Sequence, residues 1–167
     1  CQLLCGSSYA LLRPEFAALR SYSLQRRAGA PLGELLINMG GVDKDNVTGQ
    51  GLAALLTSPL PKDCRITVVM GSTAPWLEQV RQQASELPWP NRVLVGIGNM
   101  AQLMAESDLA IGAAGTTAWE RCCLGLPALM LVLADNQQKV AQSLADTGAA
   151  AVIPAGEMAL QLAAWMG

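Results

Sequence analysis

The residues with the most evident potential for chemistry lie at positions 112–120, where two glycines, two threonines and a glutamate follow one another closely. Residues 108–111 lead into them as a short apolar run, which is typical of a buried parallel strand and too short for a helix. Gly112 and Gly115 can then turn the backbone sharply because neither carries a Cβ. The pattern predicts a strand, a tight turn and a helix start, so that free N–H groups and the positive end of a helix dipole point at one place. Such a place suits phosphate.

Three polar side chains follow the predicted turn. Thr116 or Thr117 can cap the helix, because a hydroxyl there satisfies one of the free N–H groups of its first turn. Glu120 comes one turn later, on the same face of the helix as Thr116. A carboxylate would repel phosphate but accept hydrogen bonds from the hydroxyls of a ribose. We therefore predict a site for a nucleotide diphosphate and its sugar; the alternative is an ordinary strand-to-helix turn in which Glu120 only complements the helix dipole.

The composition indicates a folded domain. A chain of 167 residues with 51% hydrophobic and 14% charged residues is long and apolar enough to bury a substantial core. The net charge is −2 and no run of Lys or Arg occurs, which argues against nucleic acid and anionic membrane surfaces as partners. Charges, glycines or prolines interrupt every apolar run before it reaches the length of a membrane span. We expect neither a nucleic-acid partner nor a membrane span.

The cysteines indicate neither a disulfide framework nor a metal site. Five are present, none with the spacing of zinc ligands, and the absence of histidine excludes a mixed Cys/His site. We expect no metal and no cofactor. Cys64, Cys122 and Cys123 are predicted to be reduced and buried or half-buried. Because the chain begins at Cys1 and shows no signal peptide, we expect a fragment of a longer cytoplasmic protein.

From residue 35 onward, predicted strands alternate with predicted helices. Strands are predicted at residues 35–39, 65–70, 93–95, 108–111, 128–133 and 151–153. Helices are predicted at residues 47–57, 75–87 and 100–106, from Thr116 or Thr117 to about Gly125, and at residues 135–147 and 156–166. Residues 1–34 show no clean period and are predicted to form an interdomain connector, with residues 20–27 as a solvated basic linker. The domain proper is predicted to span residues 35–167.

This alternation with short loops implies right-handed βαβ crossovers and a Rossmann-like α/β fold, a doubly wound parallel sheet of about six strands. The favoured strand order is 3-2-1-4-5-6, with a ligand crevice between the carboxyl ends of strands 1 and 4. Both loops at that crevice are glycine-rich: Gly40 and Gly41 follow strand 1, and residues 112–115 follow strand 4. In the first loop, turn and cap roles account for Asp43 and Asn46. No G-x-G-x-x-G and no Walker A sequence follows strand 1, so neither NAD binding nor P-loop hydrolysis is expected.

Four segments carry a family resemblance: residues 36–46, 112–121, 124–127 and 135–138. They resemble the nucleotide-sugar hydrolases of pseudaminic acid biosynthesis, which remove UDP from a 2,4-diacetamido-2,4,6-trideoxy-hexose. They are also similar, more distantly, to the glycosyltransferases that add N-acetylglucosamine to the lipid-linked peptidoglycan precursor. The resemblance covers residues 35–154, and residues 9–16 resemble the interdomain segment of the hydrolases. It implies the C-terminal domain of a GT-B fold, which consists of two Rossmann-like domains.

The resemblance also implies a UDP-sugar site in this chain. Five residues would line the diphosphate: Gly40, Gly41, Gly115, Thr116 and Thr117. Glu120 would accept hydrogen bonds from the ribose hydroxyls, and the loop containing Gly96 and Ile97 would contact the uracil mostly through backbone groups. Gln137 and Gln138 would face the sugar, because amide side chains both donate and accept hydrogen bonds; the alternative is an ordinary exposed helix start.

No catalytic residue is predicted in this chain. The histidine of the hydrolase family lies in the N-terminal domain, and this chain contains no histidine. The resemblance therefore implies the nucleotide-binding half of a UDP-sugar hydrolase, completed by a missing N-terminal domain of the same protein; the chain alone would bind UDP weakly and not turn it over. The alternative is the donor-binding domain of a GT-B glycosyltransferase that uses a UDP-amino sugar. A third possibility is a non-enzymatic nucleotide-sensing or assembly module, which predicts tight UDP binding.

Overall fold

The computed structural model describes residues 9–154 together with residues 157, 158, 161 and 164. Its strands are β1 (Glu34–Asn38), β2 (Arg65–Met70), β3 (Asn91–Val95), β4 (Leu109–Ala113), β5 (Ala128–Leu131) and β6 (Ala151–Ile153). They form one six-stranded sheet in the order β3-β2-β1-β4-β5-β6, and each neighbouring pair is parallel. The predicted doubly wound sheet and its strand order are confirmed.

Helices cover both faces of this sheet. The described α-helices are α1 (Pro14–Arg27), α2 (Val47–Leu55), α3 (Leu77–Ser85), α4 (Met100–Glu106), α5 (Thr117–Cys123) and α6 (Gln138–Asp146). A 3-10 helix, Asp135–Gln137, precedes α6. In the part of the chain that the structure describes, no helix has the length and hydropathy needed to cross a membrane. The predicted helix at residues 156–166 lies mostly outside the described residues, as do Cys1 and Cys5.

β1 and β4 are neighbours in the middle of the sheet although two other strands separate them in sequence. The register pairs Ile37 with Ile111 and Asn38 with Gly112. The chain winds outward from β1 to β3 and then crosses back to β4. The connections after β1 and β4 therefore leave in opposite directions, and a crevice opens between the carboxyl ends of these two strands.

Two apolar layers cover the sheet, one on each face. Successive residues of a strand point to opposite faces, so Leu35 and Ile37 pack in one layer and Leu36 packs in the other. Val68 and Val69 of β2 are divided in the same way. None of these five side chains is more than 4% exposed, as expected for parallel strands buried between helices.

Some predicted element boundaries are wrong. α3 begins at Leu77 with Trp76 at its N-cap position, so Pro75 precedes the helix instead of opening it. β5 ends at Leu131, and Leu133 belongs to the following loop, where its N–H donates to a side chain described below. Both differences concern element ends, where a local pattern is least informative because capping and pairing decide the boundary.

The predicted solvated linker at residues 20–27 is wrong, because these residues belong to helix α1. Pro14 lies in the first turn of α1, where its missing N–H costs nothing. Phe16 and Ser23 are fully buried, and α1 packs against α4 and α5. A hydrophobic period does not reveal this helix, because Phe16 is its one fully buried apolar residue and several of its other contacts are made by polar side chains.

Polar side chains of α1 bind the carboxyl-terminal ends of α4 and α5. Ser23 Oγ donates to Leu124 O at 2.7 Å. Arg27 Nη1 donates to the same oxygen at 3.1 Å and to Gly125 O at 3.0 Å, just after α5. Arg27 Nε donates to Ser107 O at 3.0 Å, just after α4. Since carbonyls at a helix end have no partner within the helix, α1 satisfies groups that the two shorter helices leave free.

Asp108 joins α1 to the start of β1. Its Oδ1 accepts from Arg26 Nη1 at 2.6 Å, and its Oδ2 accepts from the backbone N–H groups of Gly33 and Glu34 at 2.9 and 2.8 Å. Burial raises the pKa of Asp108, but the bonds from Arg26, Gly33 and Glu34 together outweigh burial and hold the pKa below its usual value. Residues 14–34 are thus fastened to the sheet at both their helix and their strand end.

Candidate functional site

The crevice between β1 and β4 is bordered by two loops. The first begins at Gly40, whose φ of +99° lies in a region that favours glycine. Next to it, the backbone of Gly41 contacts the end of β2: a Cβ on Gly71 would lie 2.0 Å from Gly41 O. Gly71 was not predicted as a site residue, and it is required here because any side chain would push the first loop away from the sheet.

Two polar side chains of the first loop are occupied within the fold. Asp43 accepts hydrogen bonds from the N–H groups of Val47 and Thr48 at 2.8 and 2.9 Å, and Asn46 accepts from Gly49 N at 3.1 Å. Asp43 and Asn46 both have positive φ, 45° and 52°. The predicted turn and cap roles of these two residues are confirmed, so they fix the loop at the start of α2 and are not free to bind a ligand.

The second loop differs from its prediction in two details. Gly112 lies inside β4, paired with Asn38 and Met130, so the predicted turn at this residue is wrong. Thr116 occupies the N-cap position of α5 but makes no side-chain cap hydrogen bond, and the predicted hydroxyl cap is wrong. Its backbone is already helical, with φ −58° and ψ −30°, whereas a capping hydroxyl reaches the N–H groups from an extended backbone. The exposed Thr116 hydroxyl is therefore left to face solvent.

Gln137, which follows β5 in the chain, lies close in space to the second loop. Its Oε1 accepts from Leu133 N at 3.0 Å, which fixes the orientation of the amide. Its Nε2 lies 3.7 Å from the position that a Cβ on Gly115 would take. The structure thus brings Gln137 and Gly115 together, as the sequence resemblance implies, whereas Gln138 begins α6 and is exposed.

Glu120 lies one turn into α5 and is half-buried. Burial raises the pKa of Glu120, and the positive charges of Arg13 and Arg121 oppose that rise. No hydrogen bond from the described residues contributes to this balance. The carboxylate is therefore partly desolvated and without a protein donor, which is the state in which a ligand hydroxyl would bind it most usefully.

Gly96 and Ile97 lie at the same edge of the sheet but farther from the crevice. They follow β3, which β2 separates from β1. Gly96 has φ +59° and is exposed, so it makes the turn out of the strand. Ile97 packs against the apolar layer that contains Leu36. Residues 96–97 thus lie to one side of the crevice, at the end of a strand that does not border it. The predicted residues in the loops and element ends around the crevice are Gly40, Gly41, Gly115, Thr116, Thr117 and Gln137.

Two buried polar residues at the crevice were not predicted. Asn38, at the end of β1, is 6% exposed and donates from Nδ2 to Val69 O at 3.0 Å. The sequence signal that could have identified Asn38 is a polar residue at the end of a buried apolar strand. Arg121 of α5 is 2% exposed and donates from Nη2 to Ala113 O at 2.6 Å. Nothing in the sequence marks Arg121 as buried, since a basic residue near a helix end usually extends into water.

Other parts of the described structure are weaker candidates for a functional site. A cavity of about 540 Å³ lies at the amino ends of β1, β2 and β3, but its arginines have partners within the fold: Arg65 pairs with Glu34, and Arg92 Nε donates to Thr67 Oγ1 at 3.0 Å. Among residues 9–154 and the few later residues described, no group of three or more His, Cys, Asp or Glu could hold a metal ion. Cys64 is buried and Cys122 and Cys123 are half-buried free thiols, as predicted.

Comparison with known proteins places this chain in a family. Residues 49–164 match the model of the glycosyltransferase family 28 C-terminal domain. The chain is 34% identical over 154 residues to the spore coat polysaccharide biosynthesis protein SpsG of Bacillus subtilis, covering 92% of this chain and 44% of that protein. It is 30% identical over 148 residues to the UDP-2,4-diacetamido-2,4,6-trideoxy-beta-L-altropyranose hydrolase of Campylobacter jejuni, covering 89% and 50%. The chain thus spans half or less of the length of these relatives.

A solved structure shows the same fold. The crystal structure of Acinetobacter baumannii MurG matches with a TM-score of 0.74 and 23% identity, over 91% of this chain and 46% of that one. The predicted Rossmann-like domain of a GT-B fold is confirmed by this likeness and by the family match.

Proposed function

Because this chain belongs to the family of glycosyltransferase family 28 C-terminal domains, we propose that it binds a nucleotide sugar in the crevice between β1 and β4. The observation that carries the proposal is the approach of Gln137 to Gly115. Glu120, one turn into the helix that follows Gly115, adds a half-buried carboxylate to which no described residue donates a hydrogen bond. An oriented amide, a glycine loop that leaves backbone N–H groups accessible and a free acceptor suit a ligand that has both phosphates and hydroxyls.

The proposed ligand is a UDP-sugar, with each part assigned to one side of the crevice. The diphosphate binds to the two loops, at Gly40, Gly41, Gly115, Thr116 and Thr117. Glu120 accepts hydrogen bonds from the ribose hydroxyls, and the loop of Gly96 and Ile97 contacts the uracil. Gln137 and Gln138 face the sugar. These assignments follow the sequence resemblance, and the positions of the residues around one edge of the sheet support them.

We propose glycosyl transfer as the reaction of the complete enzyme, with this chain as its donor-binding domain. The family match and the MurG-like fold support transfer more directly than hydrolysis. Since the relatives are at least twice as long as the matched region, we propose that a further N-terminal domain of the same protein supplies the acceptor site and the remaining catalytic groups.

Hydrolysis of a UDP-activated diacetamido sugar is the second candidate. The 30% identity to the Campylobacter hydrolase over 89% of this chain favours it. The two reactions differ in their products: incubation of the complete enzyme with a UDP-amino sugar yields UDP and free sugar in the hydrolase, and a sugar–acceptor adduct in the transferase. Mass spectrometry of the products with and without a candidate acceptor separates the two.

Binding is tested by titrating this chain with UDP while recording its NMR spectrum, with AMP and inorganic phosphate as controls. We expect selective UDP binding in the millimolar range, because half of a two-domain cleft contacts only part of the ligand. Resonances of Gly115, Gln137 and Glu120 should shift. No shift at any of them, or equal shifts with AMP, would overturn the proposal. Micromolar affinity of the chain alone would instead favour a nucleotide-sensing module.

A further inference from the structure

Arg121 is a buried cation that makes no direct ion pair with a described residue, although the neighbouring charge of Glu120 acts on it. Its side chain is 2% exposed, and among the described residues it takes part in no ion pair. Nη2 donates to Ala113 O at 2.6 Å, while Nε has no hydrogen-bond partner in the described part of the chain. Buried arginines are ordinarily paired with a carboxylate, and this guanidinium lacks such a pair among the described residues.

The guanidinium lies at the seam between β1 and β4. Nη1 is 2.5 Å from the position that a Cβ on Gly112 would take, and the same position is 2.6 Å from Asn38 O. Gly112 and Asn38 are paired residues at the carboxyl ends of the two central strands. The charge therefore sits directly below the crevice, and the absence of a side chain at residue 112 makes room for it.

Keeping this charge buried is unfavourable for the fold. Burial lowers the pKa of Arg121 to about 10, so the group is still protonated at neutral pH, and one backbone carbonyl does not neutralise it. An uncharged residue of similar length would fill the same space without the desolvation cost. A cation in a poorly solvated environment also acts over a longer distance than one in water, and the face nearest to it is the crevice floor.

We propose that Arg121 is an electrostatic positioning residue, which holds the end of β4 through Ala113 O and supplies the positive charge that the crevice presents to a diphosphate. The inference rests on the proposed function, since it assigns a charge to the same site. It explains how an anion can bind beside Glu120, which repels it. It also explains why the second loop, residues 112–117, contains no lysine or arginine of its own.

Two variants separate the charge from the hydrogen bond. Arg121→Gln removes the charge and keeps an N–H donor for Ala113 O, whereas Arg121→Lys keeps a charge and loses the planar fork. Each is titrated with inorganic pyrophosphate, UDP and uridine, and folding is checked by circular dichroism and urea unfolding. We expect Arg121→Gln to bind pyrophosphate and UDP about tenfold more weakly, with uridine unchanged. Arg121→Lys should retain most of the pyrophosphate affinity.

A purely structural role predicts a different result: both variants lose affinity for all three ligands in proportion to their loss of stability. That result, or unchanged pyrophosphate binding in Arg121→Gln, would overturn the inference. If Arg121→Gln does not fold, a tenfold loss of pyrophosphate binding in folded Arg121→Lys, with uridine unchanged, would overturn it too. The wild type tests the proposed function separately. If it binds pyrophosphate but not UDP, the nucleotide assignment fails while the charge assignment stands, and if it binds neither, both fail.

Discussion

At the scale of single residues, Gly112 matters because of what lies next to it. A Cβ there would come within 2.6 Å of both Arg121 Nη1 and Asn38 O, closer than any ordinary contact. Gly112→Ala should therefore lower the free energy of unfolding by about 1–3 kcal/mol, as overpacking does in cores. Gly41→Ala is the control, because a Cβ at that residue meets nothing within 4 Å. Urea unfolding measures both, and equal stability of the two variants would contradict this explanation.

Glu120 provides the corresponding prediction for binding. If its carboxylate accepts the ribose hydroxyls, Glu120→Gln should weaken UDP binding by about 1–2 kcal/mol, because a charge-assisted hydrogen bond becomes a neutral one. Glu86→Gln, on the exposed end of α3, is the matched control and should bind UDP like the wild type. NMR titration gives both affinities. Unchanged binding by Glu120→Gln would remove Glu120 from the site.

At the scale of elements, α1 is held by hydrogen bonds to carbonyls that follow other helices. Arg27→Met removes the donors to Ser107 O, Leu124 O and Gly125 O but keeps an unbranched side chain in place of the arginine stem. We expect a loss of about 2–3 kcal/mol in the free energy of unfolding, since hydrogen bonds from a charged group are lost together with the satisfaction of helix-end carbonyls.

The control for this prediction is Arg81→Met. Arg81 is an exposed arginine of α3, and its ion pair with Glu78 spans one helix turn at the surface. Such pairs contribute little, so a change below about 0.5 kcal/mol is expected. Chemical denaturation of both variants provides the comparison. A loss in Arg27→Met as small as that in Arg81→Met would show that α1 is not fastened through these bonds.

The contact between α1, β1 and Asp108 gives a pH dependence. The folded pKa of Asp108 is lowered, so its contribution to stability is fully present above the pKa of an unfolded aspartate, about 3.9, and is lost as the pH falls through the lower folded value. Asp108→Asn should therefore be less stable than the wild type at neutral pH, and the difference should shrink below about pH 4. Urea unfolding between pH 3 and 7 measures it, with exposed Asp146→Asn as the control. A difference that stays constant with pH would contradict the assignment.

At the scale of the whole molecule, Cys64 reports on global unfolding. It is fully buried in the apolar layer that contains Ile37, and burial raises the pKa of its thiol to about 11. Because the thiolate is the reactive form, iodoacetamide should label Cys64 more slowly than the half-buried Cys122 and Cys123. Peptide mapping by mass spectrometry follows each site, and the protection of Cys64 should disappear only with the urea transition. Native-state labelling of Cys64 at the rate of Cys123 would contradict this.

The sequence by itself determined the architecture of the sheet and the place of the crevice. Both depend on local patterns and on general rules: apolar runs of strand length, short connections and the fixed handedness of βαβ units leave few alternatives to the order 3-2-1-4-5-6. The same reasoning located Gly40, Gly41 and the loop around Gly115 at the ends of neighbouring strands. The binding roles of these residues stay predictions.

Only the tertiary structure decided how polar and charged residues far apart in the chain meet. Ser23 donates to the carbonyl of Leu124, 101 positions away, and no local pattern encodes such a partner. Gly112 lies within β4 and leaves room for the Arg121 guanidinium, although the sequence predicts a turn there. Arg121 is buried, although arginine is usually exposed. The physical reason is that apolar periodicity reports which face of an element is buried, whereas the satisfaction of a buried polar group depends on which atoms the finished fold places beside it.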